Sequence, residues 1–310
     1  MTASARPVVS VTPNPALDIT YEVDDLRVGQ SHRVSRVRER AGGKGINVAR
    51  VVRALGEPAV VVAPFGGRTG DALLHSLRAD GFEVAAVPVD AETRRTVTVV
   101  SGGEATALNE AGPALSAPDW DDVVGVTGRA LEAPGALVVS GSTPPGTPPD
   151  LHARLIEHAR RAGVPVVVDT SGPALLRAAE AGPDLVKPNV DELRAATGET
   201  DVVVAAHALL ERGARQVVVS LGGDGLAGFA AGAQPWRVRA VPGLTGNPTG
   251  AGDAVVAALA LGLVAGTPWP EVLVRATALG AAAVLADVAG DVDLAAYERF
   301  RPTLTAERYR

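Results

Sequence analysis

The chain has 310 residues, of which 46% are hydrophobic, 21% are charged and only 3% are aromatic. This composition excludes disordered and fibrous proteins and predicts an aliphatic core, in one large α/β domain or two smaller ones. A net charge of −6 without a long basic run argues against nucleic-acid binding, and the absence of cysteine excludes disulfides and cysteine-based zinc sites. Only two of the 29 basic residues are lysines, Lys44 and Lys187.

The sequence carries no sign of a membrane segment. A strand-like run at 8–11 stands where a secretory signal would have its hydrophobic segment, and the longest apolar stretch, 254–266, is too short to span a bilayer. We therefore expect a cytoplasmic protein with no membrane partner.

Short apolar runs rich in β-branched residues are typical of strands that are buried on both faces of a parallel sheet. They lie at 8–11, 60–62, 136–139, 164–168, 184–186 and 216–219. Segments with apolar spacing near 3.6 predict helices at 45–55, 71–80, 149–162, 191–196, 202–212, 252–265 and 270–285. This alternation predicts a doubly wound α/β fold, with a mainly parallel sheet flanked by helices.

Two segments in the first half of the chain, about 18–40 and 92–110, do not follow this alternation. The second contains a strand, a Gly102-Gly103 turn and a return strand, which is the pattern of a β-hairpin. We predict that the two segments form a small β-sheet lid, inserted at the edge of the main domain.

The strongest motif is Asn-Pro-Thr-Gly-Ala-Gly-Asp at 247–253, followed by a helix of small residues. Amide N–H groups at the start of a helix bind anions. Asp253 in the first turn could take a proton from a hydroxyl while these amides hold a transferring phosphoryl group. Alternatively, Asp253 only complements the helix dipole.

Two further glycine clusters predict polar ligand sites. The first, at 41–49, places Gly42, Gly43 and Gly45 around Lys44 at the start of a helix, but it lacks the spacing of a Walker A loop. The second, at 220–225, follows a predicted strand and suits a loop that faces a nucleotide, or else a plain hairpin turn.

The segment 187–192 follows the strand at 184–186. Asn189 and Glu192 are three residues apart, so at a helix start they share a face and could serve a hydrated Mg²⁺. The alternative is a capping box, in which Asn189 caps the helix and Glu192 reaches back. Taken alone, this motif favours the capping box.

These clusters, in this order, resemble the ribokinase-like (PfkB) carbohydrate kinase family. Residues 41–66 resemble the first signature of that family, and 247–260 resemble the second. Residues 12–18, 42–50, 93–94 and 140–146 are similar to its phosphosugar branch, which includes 1-phosphofructokinase, tagatose-6-phosphate kinase and the minor 6-phosphofructokinase. The segment 108–113 is closer to the first two types.

The resemblance implies a single ribokinase-like kinase domain over 1–310. It implies transfer of the γ-phosphate of ATP to a sugar phosphate, with fructose 1-phosphate as the expected acceptor and fructose 1,6-bisphosphate as the product. Tagatose 6-phosphate, fructose 6-phosphate or an unphosphorylated sugar are alternative acceptors, and a sugar-binding regulator without turnover is an alternative function. The implied cofactors are ATP and Mg²⁺, with a monovalent cation left open, and the implied partner is a second copy bound through the lid.

The resemblance also assigns roles to residues of this chain. The catalytic group consists of the base and an anion hole: Asp253, with Gly250, Ala251 and Gly252. The acceptor group holds the sugar hydroxyls and the substrate phosphate: Asp18, Gly43, Lys44, Asn47, Arg94 and Ser142. The nucleotide group comprises Lys187, Asn189, Glu192, Ser220, Gly222, Gly223, Gly225, Thr277 and Ala281. Within it, Asn189 and Glu192 would serve the metal indirectly, through water or phosphate.

Overall fold

The computed structural model describes residues 6–102, 104–132 and 135–309. Its strands are β1 (Val8–Val11), β2 (Ala16–Glu22), β3 (Arg36–Gly42), β4 (Ala59–Phe65), β5 (Glu83–Pro88), β6 (Arg94–Ser101), β7 (Glu104–Asn109), β8 (Ala136–Ser140), β9 (Val166–Asp169), β10 (Leu185–Val186), β11 (Gln216–Ser220), β12 (Leu226–Ala230), β13 (Trp236–Val238) and β14 (Ala306–Arg308). Its helices are α1 (Lys44–Ala54), α2 (Gly67–Ala79), α3 (Ala117–Ala130), α4 (Leu151–Ala162), α5 (Pro173–Glu180), α6 (Val190–Thr197), α7 (Val202–Arg212), α8 (Ala251–Val264), α9 (Trp269–Val284) and α10 (Leu294–Phe300).

The large sheet has the strand order β14-β13-β12-β11-β10-β9-β8-β1-β4-β5. Its strands are parallel from β11 through to β5, whereas β12, β13 and β14 extend it in antiparallel fashion. The predicted α/β fold with a mainly parallel sheet is therefore confirmed. None of the helices in the described part of the chain combines the length and hydropathy needed to cross a membrane.

The sheet is covered on both faces because successive side chains of a strand point to opposite sides. In β4, Val61 and Ala63 join a core cluster with α1, α2, α8 and α9. Val60 and Val62 join a second cluster with α3, α4, α5 and α7 on the other face. This double burial is the physical reason why the strands read as continuous apolar runs.

The small sheet has the strand order β3-β2-β6-β7. Strands β6 and β7 form the predicted hairpin, and β2 joins it in parallel, with β3 antiparallel to β2 at the outer edge. The four strands lie within 16–42 and 94–109, so the first pair extends two residues beyond each end of the predicted segment 18–40. Gly103 of the predicted turn lies outside the described residues.

Several elements of the fold were not predicted from the sequence. Strand β5 was missed because it is an edge strand whose residues are mostly half-exposed, so it has no continuous buried run. Helix α3 was also missed. It begins with a capping box between Ser116 and Asp119, a signal that is separate from the apolar spacing on which the helix predictions rest. Helices α5 and α10 are eight and seven residues long, too short for a clear period.

Candidate active site

A cavity of about 980 Å³ lies between the large sheet, the start of α8 and the small sheet. It collects residues at the carboxyl ends of β9, β10 and β11, together with the starts of α1 and α8. Asp18 of β2 and Arg94 of β6 close it from the small sheet. The carboxyl ends of parallel strands are where α/β folds bind ligands.

The cavity brings together all but one of the residues predicted for the site. Those that line it are Asp18, Gly43, Lys44, Asn47, Arg94, Lys187, Asn189, Glu192, Ser220, Gly222, Gly223, Gly225, Gly250, Ala251, Gly252, Asp253, Thr277 and Ala281. The exception is Ser142, which does not line it; the Ser142 Oγ instead accepts a hydrogen bond from Asn14 Nδ2 at 3.2 Å.

Asp253 lies in the first turn of α8, where it is 5% exposed. Asn47 Nδ2 donates a hydrogen bond to its Oδ2 at 2.9 Å. Burial raises the pKa of Asp253 to about 7, and the charge of Asp169 adds to this effect, while Asn47 and the two lysines oppose it. A carboxyl group with this pKa can accept a proton near neutral pH and release it again.

The turn before α8 presents backbone N–H groups to the cavity. Gly250 caps the helix in a left-handed conformation (φ 88°), and a Cβ there would lie 2.9 Å from Ala289 Cα, so only glycine fits. The Ala251 N–H donates to the Pro248 carbonyl at 3.2 Å. Within the described part of the chain, the N–H groups of Gly252 and Asp253 have no hydrogen-bond acceptor, so they are available to an anion.

Asp169 is the main site residue that the sequence analysis missed. It ends β9, is 1% exposed, and lies between the two lysines of the chain. Its Oδ1 is 3.2 Å from Lys187 Nζ and its Oδ2 is 3.5 Å from Lys44 Nζ, and Ser140 Oγ donates to Oδ2 at 3.2 Å. Burial alone would raise the pKa of Asp169, but the two ammonium groups hold it below its usual range.

The two lysines therefore share one carboxylate, that of Asp169. Lys187 has a side chain that is 4% exposed, whereas that of Lys44 is 42% exposed and opens to the cavity. Asp169 raises the pKa of Lys44 above its usual range, so this ammonium group stays charged. Lys44 Nζ also lies 3.6 Å from Glu192 Oε1.

Asn189 and Glu192 form the capping box that the sequence allowed as an alternative. Asn189 Oδ1 accepts from the Glu192 N–H at 2.7 Å, and Glu192 Oε2 accepts from the Asn189 N–H at 2.9 Å. Both residues nevertheless line the cavity, and the Oε1 atom of Glu192 is directed to Lys44. Capping fixes the carboxylate without occupying both of its oxygens.

The 220–225 segment is a hairpin turn that also lines the cavity. It joins β11 to the antiparallel β12 through a short 3₁₀ turn. Gly225 has φ 99° and approaches the backbone of β13 too closely for a Cβ. Ser220 Oγ is buried with no hydrogen-bond partner among the described residues, which leaves it available to a ligand.

Asp18 and Arg94 lie on the face of the small sheet that covers the cavity. Burial raises the pKa of Asp18 to about 6, with the charge of Arg94 opposing it. Arg94 donates to the backbone carbonyls of Asn14 and Glu110 at 3.2 and 3.0 Å. The next residue, Arg95, points to the opposite face of the strand and reaches Thr69 Oγ1 at 3.4 Å.

The far end of the cavity is mostly apolar. The loop 240–246 and residues of α9 line it, and the sequence analysis did not predict that loop because it has no periodicity. Thr277 Oγ1 donates to the Leu273 carbonyl of its own helix at 2.8 Å, so Thr277 contributes a wall but no free donor.

The donor set suits a hydrated divalent cation. In the ranges 6–102, 104–132 and 135–309, no three His, Asp or Glu side chains converge as a metal-binding group. Asp169, Asn189 and Glu192 are among the lining residues with side-chain oxygen donors, and all three follow or end strands of the large sheet. Mg²⁺ typically keeps several waters and takes one or two carboxylates together with substrate phosphates, which this set can supply.

Comparisons with known proteins agree with this geometry. The model of the pfkB family of carbohydrate kinases matches residues 11–293. An ATP-dependent 6-phosphofructokinase isozyme 2 from Mycobacterium tuberculosis is 37% identical over 284 residues, which cover 89% of this chain and 82% of the relative.

Two solved structures are also similar. Phosphofructokinase-2 from Escherichia coli, in a complex with potassium, superposes with a TM-score of 0.90 at 30% identity, covering 96% of this chain and 99% of that one. A protein from Thermotoga maritima described as a possible 1-phosphofructokinase superposes with a TM-score of 0.87 at 28% identity, covering 98% and 99%.

The ribokinase-like fold and the resemblance to the phosphosugar branch are thereby confirmed. The chain belongs to the pfkB family of carbohydrate kinases and is an ATP-dependent sugar kinase, a phosphotransferase with an alcohol group as acceptor.

Proposed function

We propose that the protein transfers the γ-phosphoryl group of ATP to a hydroxyl of fructose 1-phosphate, giving fructose 1,6-bisphosphate and ADP. The observation that carries the proposal is the position of Asp253, a buried carboxyl group with a pKa of about 7 at the N-terminus of α8. A base and an anion site meet there, within the same cavity as Lys44 and Arg94.

The phosphoryl transfer that we assign to the start of α8 needs only a base and an anion site. Asp253 accepts the proton of the acceptor hydroxyl while the hydroxyl oxygen bonds to the γ-phosphorus. The bond from that phosphorus to the β–γ bridging oxygen breaks, and ADP leaves. The free N–H groups of Gly252 and Asp253 stabilise charge on the phosphoryl oxygens as the reaction proceeds.

The acceptor end supports a substrate that already carries a phosphate. Lys44 and Arg94 place two cations there, and charge-assisted hydrogen bonds to a phosphate are the strong partners for such groups. Asp18, Gly43 and Asn47 are assigned to the sugar hydroxyls. Ser142 is proposed only to support Asn14, since it does not line the cavity.

The nucleotide end takes ATP. Lys187, Asn189 and Glu192 are assigned to its phosphates, and Mg²⁺ held near Asn189 and Glu192 would neutralise charge on them. The glycine turn after Ser220 provides backbone groups, and Thr277 and Ala281 provide an apolar wall for the adenine ring of ATP. Since the phosphofructokinase-2 of Escherichia coli is described with potassium, we propose a monovalent cation as an activator to be tested here.

Fructose 6-phosphate is the second candidate acceptor. The relative from Mycobacterium tuberculosis is named a 6-phosphofructokinase, and the Escherichia coli protein has a structure with fructose 6-phosphate. The relative from Thermotoga maritima is named for the 1-phosphate reaction. Fructose 1-phosphate is kept as the first candidate because the segment 108–113 resembles that type.

We also propose that the protein forms a homodimer through the small sheet. On the face of that sheet turned away from the cavity, Val37 is 53% exposed and Leu108 is 60% exposed. A second copy would cover these side chains and the outer edge of the sheet. Sedimentation tests this: a mass of two chains is expected, Val37→Lys should weaken the dimer, and a single-chain mass at working concentration would contradict the proposal.

An ADP-release assay tests the function directly. The acceptors are fructose 1-phosphate, fructose 6-phosphate, tagatose 6-phosphate, fructose and ribose, each with wild-type protein and with Asp253→Asn. We expect the highest kcat/KM with fructose 1-phosphate and almost no turnover by the variant. A preference for an unphosphorylated sugar, or ADP release that is unaffected by Asp253→Asn, would contradict the proposal.

A further inference from the structure

One side chain of the small sheet is bonded to the loop that follows α9. Arg40, on β3, donates through Nη2 to Asp291 Oδ1 at 2.6 Å and through Nη1 to the Ala289 carbonyl at 3.1 Å. Arg38 lies on the same face of the same strand, but its guanidinium pairs with Glu22 inside the small sheet at 2.9 Å. Arg40 therefore connects the small sheet to the loop after α9, whereas Arg38 does not.

On the side of the small sheet, Arg40 is paired with Asp18. The two residues lie directly opposite each other in the β2–β3 register. Side chains in this relation are about 5 Å apart at Cβ. Any shift of β2 would therefore be carried to Arg40 by the strand pairing.

On the loop side, the residues that Arg40 holds pack against the anion site. A Cβ at Gly250 would lie 2.9 Å from Ala289 Cα and 3.0 Å from the Gly290 nitrogen. A Cβ at Gly290 would lie 3.0 Å from Oδ1 of Asn47, the residue whose amide donates to Asp253. Because these atoms are in such close contact, a displacement of the loop would displace Gly250 and Asn47 as well.

We propose that Arg40 is a positioning residue that couples acceptor binding at the small sheet to the anion site and thus to nucleotide binding. The inference rests on the proposed function, since it takes the acceptor to bind at Asp18 and the ATP phosphates to bind at the start of α8. Arg40 acts through Ala289 and Asp291 and contacts neither reacting group. Its loss separates two binding events that otherwise reinforce each other.

The test measures this coupling as an affinity ratio. Isothermal titration calorimetry gives the affinity for a non-hydrolysable ATP analogue, without and with saturating acceptor, the acceptor being the sugar that the wild-type protein phosphorylates fastest. We expect the acceptor to tighten analogue binding about tenfold in the wild type, and about twofold or less in Arg40→Met and Asp291→Asn. Arg38→Met is the matched control and keeps the wild-type ratio.

Steady-state kinetics give a second readout. We expect the acceptor KM of Arg40→Met at saturating ATP to rise about fivefold while kcat changes less than twofold, because the coupling is reciprocal and the contacts with the reacting groups remain. Arg40→Lys keeps a cation for Asp291 but cannot make both bonds of the planar guanidinium, so it should restore part of the coupling.

The outcomes separate the inference from the function on which it rests. A wild-type ratio near one, or a ratio kept by Arg40→Met or by Asp291→Asn, overturns the inference. If the affinity ratio falls in Arg40→Met but not in Asp291→Asn, the charge of Arg40 beside Asp18 is responsible, and the inference is overturned as well. If Arg40→Met does not fold, Asp291→Asn decides, since Asp291 is half exposed. If no sugar is phosphorylated, the proposed function fails, and the ratio is then measured with fructose 1-phosphate.

Discussion

Two carboxyl groups are buried in the same cavity, and their pKa values move in opposite directions. Asp169 at the end of β9 is 1% exposed, and Asp253 at the start of α8 is 5% exposed. Asp169 has an ammonium group within 3.5 Å of each oxygen, whereas Asp253 has one uncharged amide at 2.9 Å. Burial raises both pKa values, and only at Asp169 do the neighbouring cations outweigh it.

The difference assigns two kinds of work to two similar side chains. Asp169 stays ionised and orients Lys44 and Lys187, while its charge also helps to raise the pKa of Asp253. Asp253 exchanges a proton near neutral pH, as a base for a hydroxyl group must. Single substitutions can remove each part of this arrangement separately.

The largest effect is expected from Asp253→Asn, which removes the base and keeps the shape. We expect kcat to fall by about a thousandfold, within the range for loss of a general base, with acceptor KM changed little. An ADP-release assay measures it, and Asp191→Asn, at an exposed position next to Glu192, is the control. A loss of less than tenfold would remove Asp253 from the base role.

The next largest effect is expected from Asp169→Asn, because this substitution leaves two lysines without their shared counter-charge. We expect kcat/KM to fall by about 10- to 100-fold, since loss of one member of a buried ion-pair network costs several kcal/mol unless the cations relax. The same assay measures this loss. Wild-type kcat/KM in Asp169→Asn would show that Lys44 and Lys187 are positioned by other contacts.

Lys44→Arg keeps the charge of the acceptor cation but changes its shape. The ammonium group of Lys44 lies 3.5 Å from Asp169 and 3.6 Å from Glu192, and a longer, planar guanidinium cannot reproduce both contacts and still meet a phosphate. We expect about a tenfold loss of kcat/KM with fructose 1-phosphate, and a larger loss in Lys44→Met. Equal kcat/KM in Lys44→Arg and wild type would mean that only the charge is needed.

One further expected effect concerns stability and not the rate. Because the folded-state pKa of Asp253 is raised to about 7 from 3.8, its ionisation lowers the free energy of unfolding as pH rises from about 4 to 7. Asp253→Asn should therefore be more stable than the wild type by up to about 4 kcal/mol at pH 8, with the gain shrinking toward pH 4. Urea unfolding at pH 8 and pH 5 measures this. A variant less stable than the wild type at pH 8 would contradict it.

Much of the fold could be predicted from the sequence because burial on both faces leaves a strong pattern. The runs at 8–11 and 216–219 match β1 and β11 almost residue for residue. The glycines at two helix starts could also be predicted, because Gly250 and Gly43 have positive φ angles that other residues rarely adopt. Edge strand β5 and the short helix α5 lack such a pattern, and their formation depends on packing.

The candidate site shows the limit of motif reasoning. Asp169 follows the predicted apolar run 164–168 and is the last residue of β9, a position that could have singled it out, but its two lysines come from distant parts of the chain. The bond between Arg40 and Asp291 joins residues 251 positions apart and has no trace in local spacing. For Asn189 and Glu192, the sequence allowed either a capping box or a pair that serves a metal. The structure forms the capping box and still leaves both residues lining the cavity, so the two interpretations are compatible.

The pH dependence of kcat/KM in wild type and Asp169→Asn, with the same sugar phosphate, tests the central claim most directly. The wild-type rate should rise with pH through about 7, as Asp253 loses its proton. In Asp169→Asn this rise should move to lower pH by about one unit, since a charge that raises the pKa of Asp253 is gone. Titration of the substrate phosphate is common to both and cancels. A rise at the same pH in both proteins, or at higher pH in the variant, would contradict the account.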